Sequence, residues 1–197
     1  RGWEVAPLGC RFSVKGGKRL PAGHSYSTEP TNYRYLRVLD FFGLEIDMDK
    51  LQSLTAKTFN TLRNYEIRNG DLYVSIAGSI GHFGVFRCSE PATRTILTEN
   101  AARLIDVSKN SAEFVALQLN HCRAQRQVLT EIGSGGGVPK LALFRVEGLV
   151  CAWPDFAEQV RIAELAAFSL NRIACENKAL RKLHSFKQGL MAVSYTH

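Results

Sequence analysis

The sequence predicts an α+β fold: a mixed α/β domain over residues 1–154, then one long C-terminal helix that forms an antiparallel coiled coil. Three observations predict it. Short stretches of strand type, broken by glycine-rich turns, fill most of the chain. From Asp155 to about Val193 there is no proline, and the only glycine is Gly189. Across that stretch apolar residues recur every 3.5 residues, the period of a coiled-coil seam.

The first domain opens on a basic segment. Residues 1–40 carry seven basic and three acidic side chains, a net of +4, whereas residues 41–100 come to −1 and the two remaining segments, 101–150 and 151–197, to +2 each. Lys15, Lys18 and Arg19 stand in Lys15-Gly-Gly-Lys-Arg-Leu-Pro-Ala-Gly23, whose glycines and proline read as turn and loop. Such a loop suits phosphate contact or a solvated turn equally well. Tyr33-Arg-Tyr-Leu-Arg-Val-Leu-Asp40 reads as a strand, with Arg34 placed away from the Leu36 face. Asp49 and Gln52 form a capping-box variant for a short helix through Leu51 and Leu54. Asp71-Leu-Tyr-Val-Ser-Ile76 and His82-Phe-Gly-Val-Phe-Arg87 flank Ala77-Gly-Ser-Ile-Gly81 as strand, turn, strand. A helix is expected from about Ser111 to Glu131, burying Phe114, Leu117, Val128 and Leu129 and ended by Gly133-Ser-Gly-Gly-Gly137. Short strands around Leu141–Phe144 and Leu149–Ala152 close the domain.

The C-terminal seam reads Ile162, Ala166, Ser169, Ile173, Glu176, Leu180, Leu183, Lys187 and Leu190, of which six are apolar. A helix of that span is roughly 55–60 Å long at about 1.5 Å per residue. It is too long to hide against the preceding domain, so part of its stripe must pair with another helix. The units expected are therefore 1–154, the helix 155–193 and a tail 194–197.

Composition excludes several classes. The 197 residues are ample for a core, and 45% apolar with 22% charged residues is neither a disordered nor a collagen-like balance. No apolar run approaches the roughly 18–20 residues of a membrane span. Arg1 opens neither a signal nor a transit peptide, and a start on Arg reads as a trimmed piece. The five cysteines are odd in number, scattered and without C-x-x-C, which argues against a disulfide framework and a zinc ribbon and for the reducing cytoplasm. A net charge of +7 is compatible with a polyanionic partner without demanding one.

Enzyme motifs fail one by one. Pro139 and Leu141 flank Lys140 where a phosphate loop needs Gly and Ser/Thr. Ser79 sits where a nucleophile elbow would hold it, but β-like sequence follows it instead of a helix. No Gly-x-Gly-x-x-Gly follows a strand, the five histidines are far apart, His121 beside Cys122 reads as ordinary helix, and no Pro-Pro offers an amino-methyltransferase loop. No catalytic residue, metal or cofactor is expected.

The ordered motifs carry a resemblance. Gly2-Trp-Glu-Val-Ala-Pro-Leu-Gly9, Gly17-Lys-Arg-Leu-Pro-Ala-Gly23 with Tyr33–Phe41, Gly70-Asp-Leu-Tyr-Val-Ser-Ile-Ala-Gly-Ser-Ile-Gly81, Thr98-Glu-Asn-Ala-Ala-Arg103, Glu158-Gln-Val-Arg-Ile-Ala163 and Lys187-Gln-Gly-Leu-Met191 follow one another along the chain. In that order they resemble one half of the specificity (S) subunit of type I restriction–modification systems, a target recognition domain followed by a conserved helix. The resemblance implies a non-catalytic, cytoplasmic DNA-reading subunit. It would read one half of a split double-stranded target and dock methyltransferase (M) subunits and, through them, restriction (R) subunits. It implies DNA contacts from Lys15, Lys18 and Arg19 at the backbone, then from Tyr33, Arg34, Tyr35 and Arg37, Ser79 and His82 of the hairpin, Asn100 and Lys140. For Arg37 a structural ion pair is the alternative. An intact S subunit has two such domains and two helices, whereas this chain has one of each. A homodimer through Ile162, Ala166, Ile173, Leu180, Leu183 and Leu190 would supply the second half. Centred between Leu180 and Leu183, that pairing sets Glu176 opposite Lys187. The Pro-rich approach to the helix survives only as Ala152-Trp-Pro-Asp-Phe156, and the tail after Met191 matches nothing in the family. The competing expectation is a coiled-coil interaction module with an incidental basic face.

Overall fold

The computed structural model describes residues 2–42, 45–46, 48–132 and 139–194. In chain order the strands and helices are β1 (Glu4–Pro7), β2 (Phe12–Gly16), β3 (Tyr33–Leu36), β4 (Phe41–Phe42), β5 (Glu45–Ile46), β6 (Gln52–Ser53), α1 (Ala56–Leu62), β7 (Glu66–Ile67), β8 (Leu72–Ser75), β9 (Phe83–Val85), β10 (Arg94–Leu97), β11 (Ala101–Asp106), α2 (Ala112–Asn120), α3 (Cys122–Glu131), α4 (Leu143–Glu147), β12 (Val150–Trp153) and α5 (Phe156–Ser194). The strands form two four-stranded sheets, ordered β6-β3-β10-β7 and β2-β11-β8-β9, and two small ribbons, β1-β12 and β4-β5. Among the described residues the β10–β3 pairing is parallel and the other strand pairs are antiparallel.

Alternation explains the strand faces. In β2, Phe12 and Val14 are buried while Lys15 is exposed, the period-two pattern of a half-covered strand. β8 is buried throughout because β11 and β9 flank it and side chains pack on both faces. Phe12, Leu72, Phe83, Leu119 and Trp153 belong to the main core, with smaller clusters around Tyr73 and around Phe59. The two large sheets are joined by a short hinge, Thr98–Asn100, where β10 leaves one sheet and β11 enters the other.

The first turns of α5 belong to the domain. The Asp155 carboxylate accepts from the Glu158 N–H at 2.9 Å, an N-terminal cap. Gln159, 1% exposed, accepts from the Ser111 N–H at 3.0 Å and donates to the Pro154 carbonyl at 3.0 Å. Ala163 lies in the main core and Ile162 packs against it. Beyond this point the helix runs out of partners: Leu165, Phe168, Ile173, Leu180, Leu183 and Phe186 are all exposed. Its 39 residues amount to about 58 Å at about 1.5 Å per residue.

Several expectations are corrected here. No helix starts at Asp49; the cap is Thr55, whose Oγ1 accepts from the Thr58 N–H at 3.2 Å, and Gln52–Ser53 pair with β3 instead. The helix expected over Ser111–Glu131 is two, broken at His121, where the backbone turns to ψ 148 and the ring Nδ1 accepts from the Arg123 N–H. Leu129 is exposed. Leu141–Phe144 is not a strand: Leu141 pairs one N–H with Ile76 and α4 begins two residues later. Arg34 and Leu36 lie two apart in β3 and so share a face, and the strand ends at Leu36 in a 3-10 turn over Val38–Asp40. Lys15 belongs to β2, the loop starting only after Gly16. Gly133–Gly137 and the side chain of Leu190 lie outside the described residues. Of the seam, Ile162 and Ala166 are half-buried rather than bare. Among the described residues, no helix is long and apolar enough to cross a membrane.

Candidate functional site

Four strands deliver their C-terminal ends to one place. The segments that follow β2, β3, β8 and β10 are Gly17–Arg19, Arg37–Asp40, Ile76–Ser79 and Thr98–Asn100. Backbone bonds lock them together: Lys18 N–H to the Leu97 carbonyl (2.9 Å), Thr98 N–H to Leu36 (3.0 Å), and Ile76 N–H to Asn100 (2.8 Å). Gly17 permits the tightest approach, since a Cβ there would lie 2.1 Å from the Thr98 carbonyl oxygen. Gly78, at φ +78, turns the hairpin tip.

These segments enclose an open cleft of about 500 Å³ whose lining includes Arg19, Tyr26, Tyr35, Arg37, Leu39, Ser79, Thr98, Glu99 and Asn100. A second groove of about 550 Å³ shares Glu99 and adds Lys18 and Lys140. Of the residues expected to touch DNA, Arg19, Tyr35, Arg37, Ser79 and Asn100 thus meet in one cleft, with Lys18 and Lys140 beside it. The other four do not line either groove. Lys15 stands opposite Arg103 in the register of β2 with β11. Tyr33 stacks on Phe59, ring centroids 4.5 Å apart. Arg34 donates to Ser53 Oγ at 2.6 Å. His82 opens the return strand, its N–H on Ser75 Oγ at 3.0 Å.

The cations in the cleft are already engaged. Arg37 is bidentate to Asp40, with Nε and Nη2 at 3.1 and 2.7 Å, and its own N–H donates to the same carboxylate at 2.8 Å. Asp40 is 1% exposed, so Arg37 neutralises a buried charge and the ion-pair alternative is the one realised. Arg19 donates through Nε to Glu99 Oε1 at 2.7 Å. Glu99 Oε2 also accepts from Thr98 Oγ1 at 2.9 Å and stands 3.3 Å from Tyr35 Oη, which donates to the Lys18 carbonyl at 2.9 Å. Burial works against the Glu99 carboxylate, but the hydrogen bonds from Arg19, the backbone and Thr98 outweigh it and hold its pKa below the usual range. Burial pushes the Tyr35 phenol up to about 12, so it stays a donor. Lys15 and Lys140 carry no ion pair among the described residues, and Lys18 lies over the Tyr65 ring at 6.0 Å.

Two lining residues escape a search for basic side chains. Glu99 is acidic, and Leu39 stands 85% exposed on the rim. The Ser79 carbonyl takes the Ser75 hydroxyl, and among the described residues no histidine lines the cleft. Among the described residues no three His, Cys, Asp or Glu side chains come together as a metal would need.

Domain and helix together define a class of architecture: an α+β unit with a polar cleft at its strand ends, rooted on a helix whose outer half bears a bare apolar stripe. That fold is the fold of solved type I restriction–modification S subunits. A chain from a structure addressing complex assembly and conformational transition of a type I system superposes with TM-score 0.68 at 17% identity over 90% of this chain. The HsdS subunit from Thermoanaerobacter tengcongensis gives 0.60 at 16% over 90%, and the S subunit from M. genitalium 0.56 at 15% over 87%. This chain spans 40% of the length of each. No protein-family model and no curated protein matches the sequence.

Proposed function

We propose that the chain is a DNA-reading half of a type I specificity subunit. Residues 1–154 read one half of a split double-stranded target, and the helix 155–193 sets the distance to the other half. The observation that carries this reading is the superposition over 90% of the chain, because it takes in the domain and the helix together in one order. The subunit works without catalysis of its own, in the cytoplasm. It positions methyltransferase subunits and, through them, restriction subunits on DNA. Lys15, Lys18 and Lys140 supply phosphate affinity, and Arg19 reaches the DNA from the cleft. Tyr33, Arg34, Tyr35, Ser79, His82 and Asn100 are the positions for sugar and base contacts, and Arg37 holds the cleft's frame.

Two copies pair antiparallel through Ile173, Leu180, Leu183 and Leu190, with Leu165 and Phe168 extending the stripe that Ile162 and Ala166 leave to the domain. The pairing places two recognition domains at opposite ends, which matches a palindromic split target. The test is binding to duplex DNA by the full chain with its methyltransferase subunits. Affinity falls steeply as salt rises, because phosphate contacts release counterions. An affinity independent of salt would leave only a docking module with an incidental basic face.

A further inference from the structure

Glu99 is an ionised carboxylate in a cleft assigned to DNA. Among the described residues it is the only acidic side chain lining that cleft. A carboxylate repels phosphate, so the wall it occupies does not face the DNA backbone. It accepts hydrogen bonds and donates none. Oε2 is occupied by Thr98 and approached by Tyr35, while Arg19 is the one side chain bonded to Oε1 among the described residues, and a carboxylate oxygen with two lone pairs keeps an acceptor position for a further donor. Arg19 is its complement. Among the described residues only Nε is engaged, so the two Nη groups, the end of the guanidinium fork, carry no partner, and the side chain is 80% exposed.

We infer that the Arg19–Glu99 pair is a preformed reader of one G·C base pair in the major groove. The inference rests on the DNA-reading function proposed above. The guanidinium fork needs two adjacent acceptors, and only guanine offers them, at N7 and O6. The neighbouring group on the same pair is the cytosine N4 amino group, a donor, which the open Glu99 oxygen accepts. An A·T pair presents acceptor, donor, acceptor and cannot take the fork. Carboxylate and guanidinium are held 2.7 Å apart before DNA arrives, so little ordering remains for the complex to impose. Arg37 cannot compete for this role, because Asp40 holds its Nε and Nη2 and so takes one arm of its fork.

The experiment is selection from a random duplex library by the full chain with its methyltransferase subunits, using the native sequence, Glu99→Gln and Arg19→Lys. Thermal unfolding confirms that each variant is folded. The native motif contains a fixed G·C pair. Glu99→Gln, which adds an amide donor, lowers the preference at that pair by about tenfold. It leaves the other positions intact and raises affinity for unrelated duplex, an effect that damage to the fold would not produce. Arg19→Lys relaxes the same pair. A preference lost evenly across the motif, lost at an A·T pair, or not lost at all overturns the inference while the DNA-reading function stands. A native chain that binds no duplex overturns both.

Discussion

The bare stripe on α5 makes a quantitative prediction. Leu180 and Leu183 are 52% and 65% exposed and belong to none of the core clusters, so replacing them leaves the monomer's core alone. Full burial of a leucine is worth about 1.5–3 kcal/mol, and burying the exposed half to two thirds yields about 1–1.5 kcal/mol each. A two-fold pairing buries four such side chains, for a total of about 4–6 kcal/mol at the centre of the interface. At about 1.4 kcal/mol per tenfold, Leu180→Asp/Leu183→Asp therefore weakens dimerisation by at least about 10³-fold, more once the charge is desolvated. Light scattering and sedimentation equilibrium across the micromolar range read this directly, and far-UV circular dichroism checks that the helix survives. The expected result is a dimer for the native chain and a monomer for the double variant. A native chain that stays monomeric at high micromolar concentration refutes the pairing, and so does a double variant whose dimer is as strong as the native one.

Three further outcomes are expected. Arg37→Ala strands the buried Asp40 carboxylate and costs about 3 kcal/mol in urea unfolding, with much of the loss restored in Arg37→Ala/Asp40→Ala; a cost below about 1 kcal/mol would contradict the ion-pair role. Lys18→Ala and Lys140→Ala each lower the slope of log affinity against log salt by about one without altering the selected motif. Tyr35 titrates at about 12 against an ordinary 10, and Cys151 at about 12 against 9.0. Both protonated forms are favoured by the fold, so the contribution of these two groups to stability is full below pH 9 and is lost as pH rises towards 12. Urea midpoints from pH 9 to 12 show a shallower decline for Tyr35→Phe, and an unchanged profile would sink the assignment.

Local chemistry made some elements readable. The strand, turn and strand over residues 71–87 are short apolar runs separated by glycines, and β8 and β9 pair there. The long helix announces itself by what it lacks, proline and all but one glycine. Elements decided by tertiary pairing were opaque. Asp49 and Thr55 both have capping chemistry, and the choice fell to Thr55 because Gln52 and Ser53 were taken up by β3. The break at His121 lets Leu119 and Ala124 both reach the main core, a requirement no single helical period expresses. Four apolar residues after Lys140 fit strand or helix alike, and one bond from Leu141 to Ile76 left the rest to become α4.

Which residue types were available to the proposed DNA surface was legible in the sequence, and their electrostatics were not, for one physical reason. Searching a chain for a nucleic-acid surface means counting cations, and the count pointed to the first forty residues. Folding spends several of those cations on carboxylates: Arg37 on Asp40, Arg19 on Glu99, Arg11 on Glu4. What remains for phosphate is a sparser set of lysines, Lys15, Lys18 and Lys140, at positions spread around the cleft rather than in it. The engaged arginines are not thereby removed from recognition. A guanidinium fixed by a carboxylate loses freedom to follow any phosphate, and it keeps its remaining N–H groups aimed in one direction. Diffuse positive charge gives affinity and on-rate, whereas a donor held at a known place beside an acceptor distinguishes one base edge from another. Under the proposed DNA-reading function, the net charge of +7 bears on how tightly this surface would hold a polyanion, and the acidic residue lining the cleft bears on which sequence it would select.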